Sequence, residues 1–148
     1  MNHLLACASG YPTKTIQIGA DAQIIMDPLD PLRAKDILHK LIQVYKDAWT
    51  RPLPVACKTA WTYVHCERLN ASLPVEDEES EGVDSHDEAA QVFESSFGRE
   101  GERKESAYLS RAFESYTDIR DELPQMSFAL YADMADAVKI RSAVGETV

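Results

Sequence analysis

Between Asp30 and Trp49, apolar residues return every third or fourth position: Ile37, Leu38, Leu41, Ile42, Tyr45, Ala48 and Trp49. That spacing places them on one face of an α-helix and predicts a buried stripe. Asp30-Pro31 supplies the start. The carboxylate can accept from free amides of the first turn, and proline at the first helical position lacks only an N–H that the helix leaves unused. Arg51-Pro52 supplies the stop, because proline removes a helical hydrogen bond. Leu53, held between Pro52 and Pro54, is expected to be extended.

Ahead of this helix, Leu4 to Ala8 reads as the tail of a short helix stopped near Gly10 and Pro12. Its brevity hints at residues in front of Met1. Thr15-Ile16-Gln17-Ile18 and Gln23-Ile24-Ile25-Met26 flank Gly19-Ala20-Asp21-Ala22, which predicts an antiparallel hairpin. Two strands are unstable alone in water, so the hairpin must pack on helices. A further helix is expected from about Thr59, with Trp61, Val64, His65 and Leu69 on one face, ended by Pro74 and an acidic run. Another begins near Asp87, with Ala89, Val92, Phe93 and Phe97 inward and Gly98 as its stop. Tyr108, Leu109, Ala112 and Phe113 suggest a short helix. After Pro124, the residues Phe128, Ala129, Tyr131, Ala132, Ala135, Val138 and Ile140 predict a last helix ending at Gly145. The fold class is α+β, mostly helical with a small N-terminal β-hairpin, in a single domain over 1–148.

Composition changes this picture little. The 148 residues are 45% apolar and 27% charged, ordinary for a globular chain. No apolar run approaches the ~20 residues that span a bilayer, and the N-terminus has no basic leader, so no membrane partner is expected. Three cysteines without regular spacing suit reduced thiols and a cytoplasmic protein. The formal net charge of −10 is unevenly spread. Glu76, Asp77, Glu78, Glu79, Glu81, Asp84, Asp87 and Glu88 follow one another with no Lys or Arg between them, and without these eight acids the net charge is −2. Such a run repels itself, which predicts a disordered acidic loop near 75–87. The rest is neither a basic nucleic-acid binder nor strongly repelled by phosphate.

Two blocks stand out. The first is Trp49-Thr50-Arg51-Pro52-Leu53-Pro54, followed by Lys58-Thr59-Ala60-Trp61. The second is Gly98-Arg99-Glu100-Gly101-Glu102-Arg103-Lys104, running on to Tyr108. In this order and separation, together with the Asp27-Pro28-Leu29-Asp30-Pro31 junction and the acidic run, they resemble the C-terminal domain of the RecC family. RecC is a subunit of the RecBCD enzyme, exodeoxyribonuclease V. The resemblance implies part of a degenerate PD-(D/E)XK nuclease-like domain without that fold's metal-binding acids. It implies a scaffold segment with no enzymatic activity of its own, assembled with RecB-like and RecD-like subunits and reaching DNA through the complex in double-strand break repair. Trp49, Pro52, Leu53, Pro54, Lys58, Arg99, Arg103 and Lys104 are the candidate partner or DNA contacts.

The alternatives are a small stand-alone nuclease of the same fold and an unrelated protein-interaction module. A nuclease needs acids converging on Mg²⁺ and a nearby lysine, for which the chain offers Asp27, Glu102 and Lys104. Glu102-Arg103-Lys104 lies in a charged, glycine-punctuated stretch, where a solvated turn is the better expectation, with Glu100, Glu102 and Glu105 pairing locally to Arg99, Arg103, Lys104 and Arg111. His65-Cys66 are adjacent, and Cys7 and Cys57 lack paired spacing, so zinc is not expected. No Walker-type phosphate loop occurs. No metal or other cofactor is expected.

Overall fold

A computed structural model of the chain describes residues 1–20, 22–72, 82–96 and 98–142, without the side chains of Ser96, Arg99 and Ser142. These residues fall into two compact units, one drawn from 1–46 and 133–142 and one from 47–132. The acidic run from Glu76 to Glu81, Phe97 and the region around Gly145 lie outside the described residues.

The first unit opens with α1 (Asn2–Ala8), closed at Gly10, whose φ of +87° is one that side chains resist. Strands β1 (Thr15–Ile18) and β2 (Ala22–Met26) form the expected antiparallel hairpin, with Ile16 opposite Ile25 and Gln17 opposite Ile24. Helix α2 (Pro31–Ala48) begins where the sequence places it. Asp30 Oδ1 accepts from Leu32 N at 2.9 Å and from Arg33 N at 3.3 Å. Its buried stripe is narrower than expected and starts earlier. Ala34 and Ile37 are buried, whereas Ile42, Tyr45 and Trp49 are 49%, 62% and 76% exposed.

The C-terminal segment corrects the sequence reading. The last helix stops at Ala137, and Val138–Ser142 is a strand, β5, paired antiparallel to β2 with Ile140 opposite Ile24. The sheet order is β1-β2-β5. Val138 and Ile140 are β-branched and alternate with Lys139 and Arg141. β2 offers them a row of backbone hydrogen-bonding groups, which outweighs the continuing helical period. Lys139 Nζ meets Asp27 Oδ2 at 2.5 Å and its hydrogen bond holds that carboxyl below the usual range. Within the same unit, α1 is tied to β1 through buried His3: its Nδ1 lies 2.9 Å from Thr15 Oγ1, and its Nε2 is 3.9 Å from the buried Cys7 sulfur.

The second unit holds the larger core. It comprises α3 (Cys57–Ser72), α4 (Ser85–Glu94), the short hairpin β3 (Ser95–Ser96) and β4 (Arg99–Glu100), then α5 (Glu102–Glu105), α6 (Ala107–Ala112), α7 (Thr117–Arg120) and most of α8 (Leu123–Ala137). Ala56, Ala60, Tyr63, Ala89, Phe93, Tyr116, Ile119 and Leu123 pack into one apolar cluster. Helix α3 turns Thr59, Ala60, Tyr63, Val64 and Cys66 inward, so the expected face is rotated: His65 and Leu69 are exposed and Trp61 is half-buried. Helix α4 starts two residues before Asp87 because Asp84 caps it, accepting from His86 N at 2.8 Å and Asp87 N at 3.2 Å. The acids from Asp84 to Glu88 therefore belong to a helix start, where negative charge is favoured, and not to a loop. The helix ends at Glu94 and not at Gly98. Ser95 follows with φ 137°, a conformation costly for a residue with a side chain, and Gly98 (φ +83°) serves the hairpin turn.

Candidate interaction surface

The two sequence blocks meet. Helix α3 begins at Cys57, and its first-turn amides need acceptors that no intrahelical carbonyl supplies. Glu102, the first residue of α5, supplies both. Its Oε1 accepts from Lys58 N at 3.0 Å, and its Oε2 accepts from Thr59 N and from Thr59 Oγ1, each at 2.9 Å. The side chain is buried, only 9% exposed. Gly101 brings it there, because the backbone at this point presses on the end of α4. A Cβ on Gly101 would fall inside van der Waals contact with the Phe93 oxygen and the Glu94 carbonyl carbon. Glu105, one turn on, takes the Lys58 ammonium, and this hydrogen bond raises the lysine's pKa.

For Glu102 and Glu105 this overturns the expectation of local ion pairs within a charged turn. The segment after Gly98 is a hairpin followed by a helical turn, and Glu102 and Glu105 reach Lys58 and Thr59 across the unit. Lys58, Glu88, Gln91, Val92, Glu100, Glu102 and Glu105 line an open cleft of about 500 Å³ beside it. Four carboxylates and one lysine make this cleft acidic.

The other candidate contacts are distributed as follows. Trp49 stands 76% exposed just beyond α2. Pro52 is exposed, Leu53 half-buried and Pro54 buried, so the proline break turns inward as it proceeds. Arg51, beside it, holds Glu122 with both guanidinium nitrogens, at 3.3 and 2.7 Å, which lowers the glutamate's pKa. Trp61 does not share the exposure of Trp49. It stacks on His65 at 6.4 Å and meets the edge of Tyr131 at 6.2 Å. Lys104 is exposed on α5, and Arg103 is half-buried with its Nε enclosed and without a hydrogen-bond partner. Arg99 lies in β4, its side chain outside the described part. Of the eight, the structure brings Lys58 to the turn that carries Arg103 and Lys104.

The nuclease set fares differently. Both oxygens of Glu102 are occupied by protein donors, and Asp27 is paired with Lys139. Among the described residues, no three His, Cys, Asp or Glu side chains are grouped to hold a metal ion. No helix among them is long and apolar enough to cross a membrane.

Sequence reasoning missed several polar links. Glu94 Oε1 accepts from Tyr116 N at 2.5 Å, and His86 Nδ1 lies 2.9 Å from Tyr116 Oη. Burial pushes the Tyr116 phenol up to about 12. The partners stand 22 and 30 positions from Tyr116, too far for any local motif to announce them.

The family model of the RecC C-terminal domain matches residues 1–68, which carry α1, β1, β2, α2 and the first three turns of α3. No curated protein matches the chain. Residues 1–68 of this chain are thus similar to the RecC C-terminal domain family.

Proposed function

We propose that the chain is a non-catalytic assembly segment of a RecBCD-type exodeoxyribonuclease V, a cytoplasmic helicase–nuclease that processes DNA ends in double-strand break repair. The family match over residues 1–68 carries this reading. The engagement of Glu102 in helix capping supports it, since that carboxylate serves the fold. On this reading the mixed helices and sheet are a remnant of a PD-(D/E)XK nuclease-like domain. The surface offered to RecB-like and RecD-like subunits, or to DNA held by them, is built from Trp49, Pro52, Leu53, Lys58, Arg99, Arg103 and Lys104; Pro54, being buried, is not part of it. Exposed tryptophan and arginine are the residue types that anchor interfaces.

The test is co-purification of the full chain with RecB-like and RecD-like proteins, in wild-type form and as Trp49→Ala and Lys104→Glu. Retention of either partner, weakened by these substitutions, is the expected result. Failure to retain both overturns the assembly role. A second assay, incubation with linear DNA and Mg²⁺, is expected to leave the DNA intact.

A further inference from the structure

We propose that α5 is a polar latch on the start of α3, able to unwind and release it in one step while the apolar core around it stays closed. The core cluster draws on α3, α4, α7 and α8 and on Tyr116, with Leu109 and Phe113 packed against it. It takes nothing from Gly98 to Ser106. The only buried side chain of α5 is Glu102, a carboxylate. Its hold on α3 consists of the three hydrogen bonds from Lys58 N, Thr59 N and Thr59 Oγ1 to Glu102, and the ion pair of Lys58 with Glu105.

Each of these contacts has a ready substitute. Glu102 and Glu105 both line the open cleft, so once α5 has moved away from α3, water enters from that side and takes over the freed donors, which stay shielded while α5 is closed. The net worth of such bonds is small compared with burying the side chains of Phe93, Ile119 and Leu123, which are at most 1% exposed. The chain on either side of α5 is fixed independently. Gly101 is pressed against the end of α4, and Ser106 caps α6 through Leu109 N at 3.4 Å. Four residues between two anchors can therefore leave α3 without dragging the core with them. Opening bares the first amides of α3 and frees Lys58, changing what that helix start presents to its surroundings. The latch stands on this geometry and needs no partner or family assignment.

Native-state hydrogen exchange on the full chain, wild type and Glu102→Gln, tests it. In the wild type, the amides of Lys58 and Thr59 are expected to exchange through one opening shared with Lys104 and Glu105, whose amides bond to the Gly101 oxygen. That opening should be at least about tenfold more frequent than the one that exposes Phe93 and Ile119. Glu102→Gln, which puts an amide NH₂ where an acceptor is needed, should raise exchange in the first group by about tenfold and leave the second unchanged. If both groups open together in the wild type, the latch is part of the core and the proposal fails. It fails equally if the variant moves both groups alike or neither.

Discussion

Helices α2 and α3 start under opposite conditions. The cap of α2 is Asp30, the residue directly before it, reaching amides two and three positions on. The cap of α3 is Glu102, 44 positions from Lys58 and 43 from Thr59. The first contact forms wherever the local chain turns helical and involves almost no loop closure. The second exists only after α4 and the β3–β4 hairpin have brought α5 back, and loop closure opposes it. The Asp30 bonds are exposed, whereas Glu102 and Thr59 are buried. A helix start set locally is robust and weakly coupled. One set from a distance ties separate segments of sequence into one structure.

The largest expected effect follows from that burial. Glu102→Ala leaves the Thr59 hydroxyl and two amides without their acceptor, which costs about 1–3 kcal/mol for buried polar groups left unpaired. Urea unfolding followed by tryptophan fluorescence reads it directly, because Trp49 and Trp61 both belong to the unit of 47–132. Asp30→Ala should cost less, about 1 kcal/mol, since water replaces the lost acceptor at an exposed helix start. Helicity followed by circular dichroism during urea unfolding checks that value. A larger loss for Asp30→Ala than for Glu102→Ala would reverse the ranking and remove the case for long-range capping.

The same contrast explains what the sequence disclosed. Helix α2 was legible from Asp30-Pro31 through its apolar spacing, because its cap, first turn and stop are neighbours in the chain. The β1–β2 hairpin was legible for the same reason. Strand β5 was not. Val138 and Ile140 continue the apolar period of α8, and only the open edge of β2, over a hundred residues earlier, makes them a strand. The inward face of α3 was misjudged because Trp61 and Leu69 are more apolar than Thr59. Thr59 is buried since Glu102 satisfies its hydroxyl. At the candidate surface, the two blocks were visible as unusual composition, but nothing in either one indicated that it completes the other.

A pH experiment probes another distant link in that unit. Tyr116, which bonds His86 and whose amide is held by Glu94, has its phenol raised by burial from an ordinary value of 10 to about 12. The neutral phenol is the form the fold favours. Its contribution is therefore fully present below about 10 and is lost as pH climbs through about 12. Stability should be flat in this respect near neutrality and fall on the alkaline side. Tyr116→Phe should lower stability modestly at neutral pH by removing the bond to His86, and it should flatten the alkaline decline. An unchanged alkaline limb in that variant would assign the decline to another group.

The smallest effect belongs to the Lys58–Glu105 pair, and its smallness separates the two parts of the α5 attachment. Both side chains are solvent-accessible, 61% and 45%, unlike that of Glu102. Exposed charges are screened over about 10 Å at ~0.1 M salt, so raising salt should weaken this pair while leaving the buried cap nearly intact. Since its pairing raises the Lys58 pKa, the contribution is present below the ordinary lysine value of 10.5 and lost as pH rises through the higher folded one. Lys58→Met should therefore shift the unfolding midpoint slightly at low salt and negligibly at high salt. Glu102→Gln should shift it at both. If salt abolishes the Glu102→Gln effect as well, water and ions reach the cap freely, and the two helix starts differ in distance along the chain but not in kind.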